Sequence, residues 1–138
     1  TINIISGSLK SNDIKLEIIL QKNPILVGYK NEYAQVLINI INNARDLLIQ
    51  RKIKNPKIKI LISEKNNKVI TSIEDNAGGV KIEPIKKVFH PFFTYEKLNG
   101  SGIGLFMSRL IVQNNMNGKL EVENKKEGAC FTIIIPKM

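Results

Sequence analysis

The run Asn31-Glu32-Tyr33-Ala34-Gln35-Val36-Leu37-Ile38-Asn39-Ile40-Ile41-Asn42-Asn43-Ala44 carries two periodicities at once. At about 100° per residue, Val36, Leu37, Ile40, Ile41, Ala44, Leu47 and Leu48 fill one broad helical face. Gln35, Asn39, Asn43 and Asp46 form a stripe along one edge of it. Such a helix is anchored by its apolar side while its polar edge can line a pocket. A plain solvated edge is the commoner use of such a stripe. Asparagine, however, is a poor helix-interior residue, and Asn39, Asn42 and Asn43 together cost about 1–2 kcal/mol against alanines. Something should offset that cost.

Upstream, Ile14 to Leu20 alternates apolar and polar residues and reads as a strand. Asn23-Pro24 makes a turn, and Ile25 to Val27 are expected to continue the sheet. Thr1 to Asn12 has helix-like spacing at Ile2, Ile5 and Leu9, and its abrupt opening suggests the cut end of a longer protein. Downstream, Lys52 to Lys57 is a loop, and the strands Ile58–Ser63 and Lys68–Asp75 meet at Asn66-Asn67 in a hairpin. Val69, Thr71, Ile73 and Asp75 share one strand face, so a carboxylate ends a row aimed at the core or at a ligand. Gly78-Gly79 permits a sharp turn. A short helix over Glu83–Phe89 and a loop over Pro91–Gly102 follow. A helix over Ile103–Asn115, with Phe106, Leu110 and Ile111 on one face, ends at Asn117-Gly118. Lys119–Glu123 and Ala129–Ile135 form a last hairpin. This order predicts one α+β domain over 1–138, a two-layer α/β sandwich whose mixed, mostly antiparallel sheet of about five strands is covered by about three helices.

A chain of 138 residues, 43% hydrophobic and 24% charged, is of ordinary globular size and composition. No apolar run approaches the ~20 residues of a membrane span, and no secretory leader pattern opens the chain. The one cysteine, Cys130, excludes an internal disulfide, fits a reducing cytoplasm and is expected in the core. The net charge of +9 could serve nucleic acid, a membrane, an acidic partner or a polyphosphate. The lysines are dispersed, with neither a basic run nor interleaved aromatics, so a solvated lysine-rich surface is the preferred reading and a nucleic-acid partner is not expected.

Two glycine clusters follow the long helix: Asp75-Asn76-Ala77-Gly78-Gly79 and Gly100-Ser101-Gly102-Ile103-Gly104. The second fails the dinucleotide fingerprint, because Leu105 stands where the third glycine belongs and no strand leads into it. A Walker A loop is absent, since leucine follows Gly118-Lys119, and a calcium loop starting at Asp75 fails at Ala77. What remains is a glycine run opening a helix, whose exposed N–H groups suit phosphate oxygens. Helix asparagines, an aspartate and a glycine hinge together suggest a magnesium–nucleotide pocket.

In order, Asn39-x-x-x-Asn43-Ala44, Asp75-x-Ala77-Gly78-Gly79, Phe89-His90-Pro91-Phe92-Phe93-Thr94 and Gly100-x-Gly102-x-Gly104-Leu105 resemble the N, first glycine, phenylalanine and second glycine boxes of sensor histidine kinases. The resemblance covers nearly the whole chain. It implies the ATP-binding fold shared with gyrase, the heat-shock chaperone and MutL, often called the Bergerat fold. By that resemblance Asp75 accepts the adenine amino group, Asn43 presents its amide oxygen to Mg²⁺, and Asn39 helps to position the phosphates. Gly102 and Gly104 supply backbone contacts. Thr94 to Gly100 form a lid based on Phe89, Phe92 and Phe93, although those rings could equally be ordinary core. The same resemblance draws Asp46, Ala77, Gly79, Val80, Thr94, Lys97, Gly100, Ser101, Ile103, Leu105 and Thr132 to the nucleotide's surroundings, with Lys97 and Arg109 as candidate phosphate partners.

Members that hydrolyse ATP carry glutamate where this chain has Asn39; an amide cannot take a proton at neutral pH. The resemblance therefore implies phosphoryl transfer to a histidine rather than hydrolysis. His90, the single histidine, lies in the phenylalanine box and reads as structural. The acceptor histidine and a dimerising domain are expected upstream, a response regulator downstream, and a homodimeric parent in the cytoplasm or anchored at the inner membrane. The isolated domain is expected to be a monomer that binds Mg-ATP but cannot phosphorylate itself. An anti-sigma-factor-type serine kinase and a degenerate binding module are the alternatives. Three residues depart from the usual pattern. Asp46 replaces a basic residue, as in the nitrogen-regulator subgroup; Ala77 replaces a glycine; and Tyr95-Glu96 replaces threonine-lysine.

Overall fold

The computed structural model describes residues 13–20, 30–90 and 104–136. Among them run β1 (Lys15–Leu20), α1 (Lys30–Gln50), β2 (Lys57–Lys65), β3 (Lys68–Asp75), a 3-10 turn (Ile85–Phe89), α2 (Gly104–Leu110), a π turn (Ile111–Asn115), β4 (Lys119–Asn124) and β5 (Ala129–Pro136). One five-stranded sheet has the order β1-β2-β3-β5-β4. Only β1 and β2 run parallel; the other pairings are antiparallel. Parallel neighbours cannot be joined by a tight turn, and α1 lies between β1 and β2 in the chain as the crossover. The expected α+β class and mixed, mostly antiparallel sheet are what the chain adopts.

The core follows the two periods read from the sequence. Val36, Leu37, Ile40, Ile41, Ala44, Leu47 and Leu48 are all buried along α1. Against them stand Ile58 and Ile60 of β2, Val69 and Ile73 of β3, and Phe131, Ile133 and Ile135 of β5. Thr71 is a buried polar residue in this layer, and the Tyr33 hydroxyl satisfies it at 2.6 Å, tying α1 to β3. Asn66 and Asn67 both adopt positive φ, 54° and 60°, as the two-residue hairpin between β2 and β3 requires.

Three expectations need correction. The helix expected over Glu83–Phe89 is a 3-10 turn, with three-residue bonds from the Lys87 N–H to the Pro84 carbonyl and from the His90 N–H to the Lys87 carbonyl. The helix expected over Ile103–Asn115 is α-helical only to Leu110 and then widens into the π turn, where the Met116 N–H reaches the Ile111 carbonyl at 3.2 Å. Its buried stripe is Leu105, Ser108, Val112 and Met116, while Phe106, Leu110 and Ile111 are half-buried. Two α-helices, rather than about three, are therefore present among the described residues. Thr1–Asn12, Asn23-Pro24, Ile25–Val27 and Pro91–Gly102, for which the sequence carries expectations, lie outside the described residues.

Candidate functional site

Asp75 is the last residue of β3 and belongs to the helix-facing row of that strand. Its Oδ1 accepts the backbone N–H of Ala77 at 3.0 Å and of Ala129 at 3.3 Å. With one oxygen held by two donors, Oδ2 remains as the acceptor available to a ligand. Burial pushes the carboxyl above the ordinary aspartate range; the two N–H bonds and the positive charge of Arg51 pull it partly back. Gly128 makes this arrangement possible. A Cβ there would lie 2.0 Å from the Asp75 carbonyl oxygen and 2.6 Å from Oδ1, so only glycine lets the β4–β5 turn approach so closely.

The residues after Asp75 form a fixed turn. Gly78 and Gly79 have φ of 99° and 91°, values that other residues rarely adopt. The Gly78 N–H donates to the Glu127 carbonyl at 3.0 Å. Asn124, at the end of β4, accepts the Val80 N–H through Oδ1 at 2.8 Å and donates from Nδ2 to the Val80 carbonyl at 2.9 Å. Arg51 donates from Nη1 to the carbonyls of Ala77 and Gly79 at 2.8 and 2.7 Å. Asn76 turns away and ties the loop before β2, accepting the Lys57 N–H at 2.8 Å. An open groove of about 890 Å³ runs beside this turn from Val80 to Ile85, but neither Asp75 nor an α1 amide lines it.

The polar stripe of α1 divides into distinct roles. Asn39 donates from Nδ2 to the Ser108 hydroxyl at 3.1 Å and, more weakly, to the Gly104 carbonyl at 3.4 Å, and its Oδ1 accepts from Gln35 at 3.1 Å. Its amide thus links α1 to the first turn of α2. Asn43 differs: its Nδ2 is buried with no hydrogen-bond partner. Rotating the amide by half a turn exchanges oxygen for nitrogen, so the side chain is open to a ligand seeking either. Asp46 accepts from the adjacent Arg45 at 3.0 Å.

Two clusters result, and α1 backs both. Asp75, Ala77, Gly79 and Val80 form one; Asn39, Gly104 and Ser108 form the other. Leu105 and Phe89 are core residues, and the Phe89 ring meets Phe131 edge-on at 6.0 Å. Arg109 lies 5.4 Å over the Phe89 ring, and its buried Nε has no hydrogen-bond partner. Thr132 does not join the others. It pairs in register with Ser72, while Val69, Thr71 and Ile73, of the row that ends in Asp75, pair with Ile135, Ile133 and Phe131, so the strand alternation puts Thr132 on the opposite sheet face. His90 is exposed at the end of the 3-10 turn. Thr94, Lys97, Gly100, Ser101, Gly102, Ile103, Phe92 and Phe93, and with them the expected lid, lie outside the described residues. Arg51, Asn124, Ser108 and Gly128 were not singled out from the sequence. Only Gly128, in a Glu-Gly-Ala turn before an apolar strand, carried a readable signal.

Comparison with known proteins places this geometry. Residues 28–138 match the family model described as histidine kinase-, DNA gyrase B-, and HSP90-like ATPase. A probable C4-dicarboxylate sensor kinase of Halalkalibacterium halodurans is 26% identical over 134 residues, 93% of this chain and 25% of the relative. The signal transduction histidine-protein kinase AtoS of Escherichia coli is 38% identical over 104 residues, 74% of this chain and 16% of the relative. The chain thus spans a quarter or less of the length of these curated relatives. Among solved structures, the nucleotide-free catalytic domain of histidine kinase ThkA superposes with a TM-score of 0.83 at 29% identity, covering 98% of this chain and 86% of that one. ThkA solved in complex with response regulator protein TrrA matches with a TM-score of 0.77 at 28% identity, covering 99% of this chain and 38% of that one. By sequence and by fold, the chain belongs to the histidine kinase-, DNA gyrase B-, and HSP90-like ATPase family.

Proposed function

We propose that this chain, as one catalytic domain over 1–138, binds Mg-ATP and donates the γ-phosphoryl group to a histidine on a separate dimerisation domain. The observation that carries the reading is the Asp75 carboxylate: partly desolvated, held at Oδ1 by two backbone donors, with Oδ2 left to accept the amino group of adenine. The fixed turn from Ala77 to Val80 beside it supplies a rigid wall for the base. The uncommitted amide of Asn43 suits Mg²⁺. One neutral amide would suffice for an ion carried in largely by phosphates and water. When bound, Mg²⁺ would neutralise phosphate charge. Catalysis otherwise rests on positioning.

Asn39 supports transfer over hydrolysis, because its amide cannot take a proton from water and is already engaged with Ser108 and Gly104. In the transfer, the bond between the γ-phosphorus and the β,γ-bridging oxygen breaks, ADP leaves, and the phosphorus bonds to an imidazole nitrogen of the acceptor. A response regulator aspartate then receives the group. No helix among the described residues is long and apolar enough to cross a membrane. We place the domain in the cytoplasm, monomeric alone and dimeric through its parent, which has its own anchoring if it sits at the inner membrane.

Titration calorimetry with ATP and Mg²⁺ tests the binding, and incubation with γ-labelled ATP and the parent's own dimerisation domain tests the transfer. Label on the partner's histidine, with none on the isolated chain, is the expected result. Label on a serine of a partner would establish the anti-sigma-factor-type reading instead, and no heat of binding would establish a degenerate module.

A further inference from the structure

The end of α1 is built with unusual definition. Lys52 takes φ of 51°, its N–H donates to the Ile49 carbonyl at 3.1 Å, and the Ile53 N–H donates to the Leu48 carbonyl at 3.1 Å. This is a Schellman closure, and it uses lysine where glycine would be strain-free. The closure fixes Arg51 as the last residue before the turn. From there the guanidinium spans to the first glycine segment and takes the Ala77 and Gly79 carbonyls. Ala77 is the same residue whose N–H holds Asp75 Oδ1. Ala77 is therefore held on both sides, its N–H by the carboxylate and its carbonyl, one peptide further on, by Arg51 just past the end of α1.

We propose that Arg51 is the positioning residue of the purine subsite: it fixes Ala77 and Gly79, and so aims Asp75 at the base, without touching the nucleotide. This deepens the preceding reading and rests on it. Asn124 holds the far end of the same turn at Val80, so the segment between the two grips cannot drift toward or away from the base. Arg51 also acts through charge. Among the described residues it is the charged side chain that works on Asp75, alongside the N–H groups of Ala77 and Ala129, and it favours the ionised carboxylate that an amino donor needs.

The test compares the full chain with Arg51→Met, Arg51→Gln and Arg51→Lys. The readouts are dissociation constants for Mg-ATP and Mg-GTP across pH, and carbon-detected titration of the Asp75 carboxyl without nucleotide. Arg51→Met should weaken ATP about tenfold, through a less well aimed Asp75, and shrink the preference for ATP over GTP. Its Asp75 should titrate at higher pH than in the parent, and ATP binding should fail at correspondingly higher pH. Arg51→Lys, which keeps the charge, should restore the titration. Should Arg51→Met not fold, Arg51→Gln, which keeps a donor and drops the charge, must by itself raise the Asp75 titration and shrink the ATP preference. Loss of ATP and GTP in equal measure with the Asp75 titration unmoved, or no change in either, overturns the role of Arg51 while leaving the nucleotide reading intact. A parent chain that binds no adenine nucleotide overturns that reading and this inference together.

Discussion

Replacing Asp75 with asparagine separates what the carboxylate does for a ligand from what it costs the fold. The amide oxygen can keep both backbone bonds, from Ala77 and Ala129, so the side chain stays in place. The outer atom changes from an acceptor to an NH2 donor, which then faces the donor amino group of adenine. Losing a hydrogen bond to a charged acceptor costs about 1.5–3 kcal/mol, and an unsatisfied buried donor adds about 1 kcal/mol or more. The total, about 2.5–4 kcal/mol, corresponds to roughly two to three decades in dissociation constant. Stability should move the other way. Because burial raises the folded carboxyl above its unfolded value, the native state binds the proton more tightly between the two, and stability falls as pH rises through that window. Above it the parent carries the cost of a desolvated charge, and the amide does not. Asp75→Asn should therefore melt no lower than the parent at neutral pH, with the difference closing on acidification below the unfolded value. Calorimetry with Mg-ATP and thermal melts at several pH values measure both. An Asp75→Asn protein that keeps ATP within about threefold of the parent, or that melts lower at neutral pH, would refute the assignment of Oδ2 as the base-recognising atom.

Asn43→Ala should weaken ATP strongly when Mg²⁺ is present and much less in chelator, and an equal loss in both would remove the metal role from that amide. Gly128→Ala drives a Cβ into the Asp75 backbone and should cost about 2 kcal/mol or more in a denaturant melt, since backbone cannot give as a side chain does. Asn39→Ala removes the donor shared by Ser108 and Gly104 and leaves a buried hydroxyl short of a partner, a loss of about 1–2 kcal/mol that should appear first as faster amide exchange across α2.

The long helix and the sheet were legible because their signals are periodic. The α1 core face and the Val69-Thr71-Ile73-Asp75 row are each set by side-chain spacing, and tertiary packing had no reason to override them. The Asn66-Asn67 hairpin was legible because asparagine tolerates positive φ. The buried stripe of α2 departs from Phe106, Leu110 and Ile111 already before the π turn, because the small Ser108 is buried beside α1, where Asn39 bonds its hydroxyl, and a buried serine has no apolar signal to read. The resemblance draws Thr132 toward the nucleotide, whereas its place is fixed by pairing with Ser72. Arg51 and Asn124 carry no signal in the sequence for another reason. Each acts through a backbone contact distant in sequence, with the Ala77 and Gly79 carbonyls for Arg51 and with Val80 for Asn124, and such contacts have no spacing to read.

The bridge from Asn39 to Ser108 has one more consequence. Both Asn39 Nδ2 bonds go to α2, so an anion beside α1 could take those protons only at the cost of the contact between the two helices. One side chain thus couples the two helices, and an anion drawn to it would be felt in α2 as a lost contact.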